Sequence, residues 1–266
     1  MKVVDDSGQP VNAARIAIGY YVAPPPGETI ATSSIKGETD ANGIFSASGR
    51  TGSTDLFFSA DKEGYYPVHL DYELAGLKKN DSAKWNPTIT LLLKKIGAPI
   101  PMYAKQIRSL KVPKFNKPIG FDLMAGDWVA PYGKGINTDL FFTEKHLDEN
   151  SGYILNVSFP NPGDGIQEFV ISDMEKGSAL RSPHEAPLDG YQPEVAQTAM
   201  TNPNRNFFFR VRTILDEKGN IKTAIYGKIY GDLAQFTYYL NPTSNDHNVE
   251  FDPKHDLLTG EQVTQP

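Results

Sequence analysis

Apolar and polar residues alternate along much of this chain with the period of two that is typical of β-strands. The clearest alternation lies on both sides of the turn sequence 216–220, Asp-Glu-Lys-Gly-Asn. We therefore predict a β-hairpin over residues 206–232. The positions predicted to face the core are Phe207, Phe209, Val211, Thr213 and Leu215 on the first strand, and Ile221, Thr223, Ile225, Gly227 and Ile229 on the second.

The opposite face of this hairpin interleaves basic and aromatic residues. It collects Arg210, Arg212, Tyr226, Lys228 and Tyr230, with Lys222 nearby, and the loop residues Trp128 and Tyr132 are further candidates. Aromatic rings stack on sugar rings, and Arg and Lys pair with carboxylate or sulfate groups, so the face predicts a site for an acidic polysaccharide. An ordinary solvent-facing sheet surface has the same composition and is the simpler interpretation.

The remaining strand patterns divide the chain into two β domains. Residues 1–96 read as about seven short strands separated by turn sequences, and residues 119–266 as longer, mostly antiparallel strands, such as 138–143 and 152–159. Residues 97–118 between them are rich in proline and in lysine and arginine. They predict an extended linker, or alternatively a recruitment site. The predicted fold class is all-β, with an immunoglobulin-like or transthyretin-like sandwich first and a second β domain after it.

Three motifs in residues 1–96 carry a family resemblance. They are 4–11 (VDDSGQPV), 39–45 (TDANGIF) and 60–67 (ADKEGYYP). In this order they resemble the carboxypeptidase regulatory-like family of transthyretin-like, or prealbumin-like, sandwiches. The resemblance covers about a third of the chain and implies a non-catalytic module of bacterial envelope proteins that spaces or supports other domains. The family names a fold and not an activity.

Composition narrows the functional classes. The chain of 266 residues has no cysteine and a formal net charge of −6, with no apolar run long enough to span a bilayer. Disulfides and thiolate metal sites are therefore impossible, and a general nucleic-acid binder is not expected. A bacterial extracellular or periplasmic location fits the lack of cysteine. The first strand begins abruptly at Met1 or Lys2, and we expect that a leader segment has been removed and Met1 added.

No pattern of catalytic residues is recognisable. The five histidines lack metal-ligand spacing, there is no Gly-x-Ser-x-Gly sequence, and 32 Asp and Glu residues do not by their number indicate a paired-carboxylate site. We predict no catalytic residue, no metal and no cofactor. The leading hypothesis is a non-catalytic module that binds a glycan or another envelope protein. The alternatives are a glycan-directed hydrolase whose acids converge only in the folded second domain, and a purely structural spacer.

Overall fold

The computed structural model describes residues 1–22, 27, 29–74, 88–146, 152–198, 204–260 and 263–266. The predicted all-β class is confirmed, since every element of these residues is a strand. No helix in the described part of the chain could cross a membrane. Two compact units are present: unit 1 comprises Met1–Gly97 and Ile171–Ser182, and unit 2 comprises Ala98–Val170 and Pro183–Pro266.

Unit 1 contains two sheets in its described residues. Its strands are β1 (Lys2–Asp5), β2 (Arg15–Val22), β3 (Ala31–Glu38), β4 (Asp55–Asp61), β5 (Val68–Glu73) and β6 (Thr90–Leu93). The first and last of these pair in parallel, and the other four form an antiparallel sheet in the order β3-β2-β4-β5. Apolar residues from both sheets, including Val3, Leu91, Ile16 and Phe58, share one core. The described residues of the unit form six strands, whereas the sequence predicts about seven, and β3 is not among the predicted ones.

The turn at Asn42-Gly43 is fixed by local hydrogen bonds. Asp40 Oδ1 accepts hydrogen bonds from the backbone N–H groups of Asn42 (2.9 Å) and Ile44 (2.8 Å), and Gly43 has a φ of +71°. A Cβ atom on Gly43 would lie 2.4 Å from the carbonyl oxygen of Val3. The turn leads into an isolated bridge between Lys2 and Ile44, and residues 44 and 45 belong to no strand.

Strand β3 has no counterpart in the sequence prediction. Its sequence, ATSSIKGE, is polar, and Ile35 is its only large apolar side chain. It lies at the edge of the four-stranded sheet, bonded to β2 alone. An edge strand needs little apolar surface, and polar edges also discourage pairing with other chains, so its alternation is weak.

Residues 171–182 belong to unit 1 although they lie far along the chain. His69 donates a backbone hydrogen bond to Gly177 (2.8 Å), and Val68 and Ser178 form a bridge. The buried ammonium of Lys94 forms an ion pair with Glu175 at 2.8 Å and donates to the carbonyl oxygen of Ser182 at 3.0 Å. The predicted boundaries of 1–96 and 119–266 are therefore corrected, because the first unit includes a segment taken from the middle of the predicted second domain.

Unit 2 also contains two sheets in its described residues. The strands are β7 (Ile100–Ile107), β8 (Ile119–Asp122), β9 (Asp127–Trp128), β10 (Leu140–His146), β11 (Tyr153–Ser158), β12 (Gly165–Phe169), β13 (Glu194–Thr198), β14 (Asn206–Leu215), β15 (Ile221–Gly231), β16 (Phe236–Leu240) and β17 (Phe251–Asp256). The sheet orders are β13-β11-β10-β8-β9 and β12-β14-β15-β16-β7-β17. All the pairings in them are antiparallel except that of β7 with β17.

Both faces of the six-stranded sheet are buried. One face contributes Phe207, Phe209, Val211, Ile225 and Ile229 to a core that it shares with residues of the five-stranded sheet such as Phe142. The other face contributes residues to a second cluster that includes Ala186, Val249 and Val263, which lie outside the strands. The predicted hairpin is confirmed as β14 and β15, and its predicted inner positions Phe207, Phe209, Val211, Ile225 and Ile229 face the first core.

The predicted linker, 97–118, is corrected by β7. This strand pairs with β16 and β17 inside the six-stranded sheet, and Met102 and Ala104 are fully buried. Past the strand, the N–H of Leu110 donates to the carbonyl of Ala234 (2.8 Å), and Val112 is buried in the first core. The segment is therefore part of unit 2.

We predict that Gly43→Ala destabilises unit 1 more than Gly8→Ala does. Both glycines have φ near +70°, but no heavy atom lies within 4 Å of a Cβ on Gly8. Positive φ costs an alanine roughly 1 to 2 kcal/mol, and the contact with Val3 adds to this at position 43 only. Urea unfolding followed by circular dichroism measures both variants. Equal losses of stability would contradict the close approach of the turn to β1.

Candidate functional site

The hairpin face predicted to bind a ligand is buried. The side chains of Tyr226 and Tyr230 are 3% exposed and that of Lys228 is 0% exposed. The Lys228 ammonium lies over the rings of Tyr230 and Tyr239, 4.8 and 4.9 Å from their centroids, and the ring of Tyr226 stacks on His247 at 3.8 Å. These groups are partners for one another within the second core cluster. The prediction that they form an exposed sugar-binding surface is wrong.

Arg210 is likewise committed to the interior of unit 2. Its Nε donates a 2.7 Å hydrogen bond to the carbonyl oxygen of Gly163, and its guanidinium lies 4.6 Å from the ring centroid of Tyr191. Burial raises the pKa of the Tyr191 hydroxyl, which donates to the carbonyl of Pro187 at 2.9 Å. The arginine therefore fastens the loop around Tyr191 to the sheet.

A β-bulge sends Arg212 away from the other predicted site residues. The register of β14 against β15 shifts after Val211, and Arg212 has a φ of +55°. Its Nε donates to Asp139 Oδ1 at 2.6 Å, and its Nη2 donates to Asp139 Oδ2 at 3.0 Å and lies 3.4 Å from Asp122 Oδ1. A bulge adds one residue to a strand and so reverses the facing of the residues after it. The strict alternation predicted for this strand stops at the bulge.

Asp122 and Asp139 share the guanidinium of Arg212. Asp122 accepts hydrogen bonds from the N–H groups of Met124, Ala125, Ile136 and Asn137 at 3.0 to 3.1 Å, and Asp139 accepts one from Leu123 at 2.8 Å. Burial raises the pKa of Asp139, and the Arg212 hydrogen bonds oppose that rise. All four carboxylate oxygens have partners, so the pair closes the loop 122–139 and offers no free oxygen for acid–base chemistry.

Trp128 and Tyr132 do not join the hairpin face. Trp128 is half-buried, and its ring meets Phe121 and Phe142 edge-on at 5.2 and 5.7 Å, on the side of the first core. Tyr132 is 42% exposed on the loop that Asp122 and Asp127 hold together. Neither residue meets Tyr226 or Tyr230, because the two core clusters occupy opposite faces of the six-stranded sheet.

The buried acid Glu250 of unit 2 contacts a histidine, and this pair also has structural partners. Glu250 Oε1 hydrogen-bonds to Nδ1 of His184, and its Oε2 accepts a 2.6 Å hydrogen bond from the N–H of Ala98. The backbone N–H of Val249 donates to the carbonyl of His184 at 2.9 Å. The pair fastens two loops together. Among the residues described, no three His, Asp or Glu side chains come together in a way that could hold a metal ion.

An exposed run of cations remains, and we call residues 105–117 the basic segment. Lysine or arginine occupies every third position, at 105, 108, 111, 114 and 117, and no acid occurs from residue 98 to residue 121. Arg108, Lys111, Lys114 and Lys117 are exposed. None of these four forms an ion pair or a side-chain hydrogen bond within the described residues.

The basic segment is held in place by its backbone and its apolar residues. Val112 is buried in the first core, and the N–H groups of Leu110 and Asn116 donate 2.8 Å hydrogen bonds to the carbonyls of Ala234 and Glu144. The ring of Phe115 is 52% exposed and lies 4.2 Å from the imidazole of His146, which is itself 3.1 Å from Glu144 Oε1. The segment therefore presents cations and one aromatic ring without needing to order itself first.

Comparisons with protein-family models, with curated proteins and with solved structures find no match for this chain.

We predict that Arg212→Leu costs about 3 to 5 kcal/mol of stability, since it leaves the buried Asp139 carboxylate without its counter-charge. The matched control is Arg205→Leu. Arg205 also binds a carboxylate through two hydrogen bonds, to Glu168 at 2.8 and 2.7 Å, but that carboxylate is 44% exposed. An exposed pair contributes about 1 kcal/mol or less. Equal losses in urea unfolding would show that Arg212 is not the partner on which Asp139 depends.

The network also predicts a pH dependence. Burial alone would raise the pKa of Asp122, but the hydrogen bonds from the N–H groups of Asn137, Ile136 and Ala125 and the charge of Arg212 outweigh it and lower that pKa. A carboxyl group whose pKa is lower in the folded than in the unfolded chain stabilises the fold at pH values above its unfolded-state pKa of about 4. This stabilisation is lost as the pH falls through the folded-state pKa. The stability gap between the natural chain and Asp122→Asn should therefore be widest at neutral pH and narrow below about pH 4.

Urea midpoints measured from pH 7 to pH 2.5 test this expectation. Asp189→Asn, at an exposed acid, changes the net charge equally and should show no such narrowing. A gap for Asp122→Asn that stays constant with pH would rule out the ionised carboxylate as the acceptor that holds the loop.

Proposed function

We propose that this protein is a non-catalytic binding module that holds an acidic polysaccharide on the basic segment of unit 2. The observation that supports this most directly is the set of four exposed cations, Arg108, Lys111, Lys114 and Lys117, which the fold does not pair with any described acid. Cations left unpaired on an ordered backbone are available to an anionic ligand without breaking an existing ion pair.

A glycan suits this surface better than a denser polyanion. The whole chain carries a formal net charge of −6, so a long, uniformly charged nucleic acid would be repelled away from the segment. A polysaccharide with carboxylate or sulfate groups carries its charges along a chain of apolar ring faces. Phe115, 52% exposed among the lysines, offers a ring on which one sugar can stack.

The proposal extends to unit 1 as a supporting module of the carboxypeptidase regulatory-like type. The support comes from the three sequence motifs and from two sheets that share one apolar core, with the Asp40 turn packed against β1. Under this proposal the protein belongs to the bacterial envelope, in the periplasm or outside the cell, where such modules and acidic glycans both occur. The absence of cysteine fits that location.

The glycan-directed hydrolase gains no support from the Asp122–Asp139 pair of unit 2. A hydrolase needs one protonated acid and one ionised acid facing a substrate. Asp139 and Asp122 have pKa values shifted in opposite directions, as such a pair would, but their oxygens are occupied by Arg212 and by backbone N–H groups. The shifts therefore have a structural cause.

We predict that replacing Lys111, Lys114 and Lys117 by Gln weakens binding to carboxylated or sulfated glycans at least tenfold. The measurement is a glycan array followed by titration at two salt concentrations, and binding should weaken as salt rises. The matched control is the triple replacement of Lys36, Lys218 and Lys222 by Gln, which removes the same charge from exposed lysines elsewhere. Phe115→Ala should weaken binding with less effect on the salt dependence.

Equal glycan binding by both triple variants would contradict the assignment of the site to the basic segment. If the natural chain binds no anionic glycan, the proposal that its ligand is an acidic polysaccharide is contradicted. The natural chain could instead bind a nucleic acid more tightly than every glycan and lose that binding when Lys111, Lys114 and Lys117 are replaced. This result would show that the ligand of the basic segment is a nucleic acid and not a glycan. Circular dichroism of each variant confirms that the fold is intact.

A further inference from the structure

Unit 1 contains a cavity of about 500 Å³, and none of the described residues that line it belongs to the basic segment. Its floor is formed by neighbouring residues of the four-stranded sheet: Ile18 pairs with both Ile35 and Phe58, and Tyr20 pairs with Leu56. These residues lie on one face of the sheet because strand side chains alternate. A cavity of this volume is in the range of sites that hold small organic molecules.

The cavity results from a mismatch in strand lengths. Strands β2 and β3 have eight residues each, whereas β1 and β6, which pack on the same face, have four. At about 3.4 Å per residue the longer strands span about 27 Å and the shorter ones about 14 Å. The two-stranded sheet covers the end of the face near Ile16 and Ala60, and residues 44–51 wall the other end around the cavity.

The chemistry of the lining is divided between an apolar interior and a polar, cationic rim. The apolar lining residues Ile18, Leu56, Phe58, Phe45 and Ile89 are buried or half-buried, and the polar lining residues Ser46, Ser48 and Arg50 are exposed, so we assign the latter to the rim. Ser46, Ser48 and Arg50 are exposed, and no ion pair or side-chain hydrogen bond of theirs occurs within the described residues. Among the described residues that line the cavity, none is an acid.

We propose that this cavity binds an amphiphilic carboxylate, a molecule with a hydrocarbon body and one carboxylate head group. The body would replace water against the apolar floor. The carboxylate would lie at the rim, where Arg50 can donate two parallel hydrogen bonds and the serines can donate further ones. A neutral amphiphile would leave the guanidinium without a partner, so the rim selects for the charged head group. This site is separate from the basic segment, and either can exist without the other.

Dodecanoate is the probe for the test, with dodecanol as its neutral counterpart, both below their aggregation limits. Isothermal titration of the full chain should show one dodecanoate bound per chain, at least tenfold more tightly than dodecanol. Arg50→Gln should abolish the preference for dodecanoate over dodecanol. The control Lys36→Gln, which removes an exposed positive charge next to the cavity residue Ile35, should keep that preference. Equal binding of acid and alcohol by the natural chain would overturn the head-group assignment.

A pair of adjacent substitutions on β4 tests the position of the body. Leu56 lines the cavity, and Phe57 points to the opposite face of the same sheet and is 36% exposed. Leu56→Trp should fill the cavity and weaken dodecanoate binding at least tenfold, and Phe57→Trp should leave it unchanged. Retention of binding by a folded Leu56→Trp variant would overturn the site. If that variant does not fold, the Arg50→Gln result decides.

Dodecanoate could also bind to lysines, so the basic segment needs its own control. The triple replacement of Lys111, Lys114 and Lys117 by Gln should bind dodecanoate as the natural chain does. Loss of dodecanoate binding in this triple variant, with Arg50→Gln unaffected, would move the ligand from the cavity to the basic segment and overturn the inference. The glycan experiment reads out the basic segment alone, so the two proposals fail separately.

Discussion

The structure of unit 2 depends on burying both faces of its six-stranded sheet. One face meets the five-stranded sheet, as in any two-layer β fold. The other is covered by residues outside the strands, such as Ala186 and Val249, and no second regular layer lies there in the described residues. Such a cover leaves polar backbone near the interior. On this side the sheet presents tyrosines and Lys228, and the Lys228 ammonium lies over the rings of Tyr230 and Tyr239. The loops on this side are therefore part of the core.

Because residues outside the strands cover this second face, only part of the hairpin could be predicted from the sequence. Alternation in Phe207, Phe209 and Val211 identifies the face toward the five-stranded sheet, because a run of large apolar residues at every second position has no other stable place. The opposite face contains Lys228 and Tyr226, which are equally suited to solvent and to a tyrosine-lined interior. The residues that cover this face, such as Ala186, Val249 and Val263, lie outside the strands and follow no periodic pattern. The bulge at Arg212 has no sequence signal either, since arginine rarely adopts positive φ.

The prolines of residues 97–118 indicate a break in regular structure, yet part of the segment is a strand in the middle of a sheet. Strand β16 pairs with β7 only from Tyr103 to Ile107, so Pro101, which has no N–H, lies before that ladder begins. A proline at the start of a strand costs no ladder hydrogen bond. Pro99 and Pro101 thus lie at the beginning of β7 and do not indicate a linker. In unit 1, β3 could not be predicted because its sequence is polar and lacks the alternation of a strand with one buried face. The turn residues around it do not by themselves indicate a strand.

Charges divide in this protein between those that the fold uses and those that it does not. Arg212 and Lys94 are buried or half-buried, and each lies beside a carboxylate that it neutralises. Their presence in the sequence is therefore explained by their contribution to the fold. Counting acids or bases along the sequence cannot separate these two classes, because pairing depends on bulges and loops that bring distant residues together. The informative charges are the exposed ones left over on an ordered backbone, at the basic segment and at Arg50. Their lack of internal partners means that holding them costs the fold little, and a ligand of opposite charge is what would give them a function.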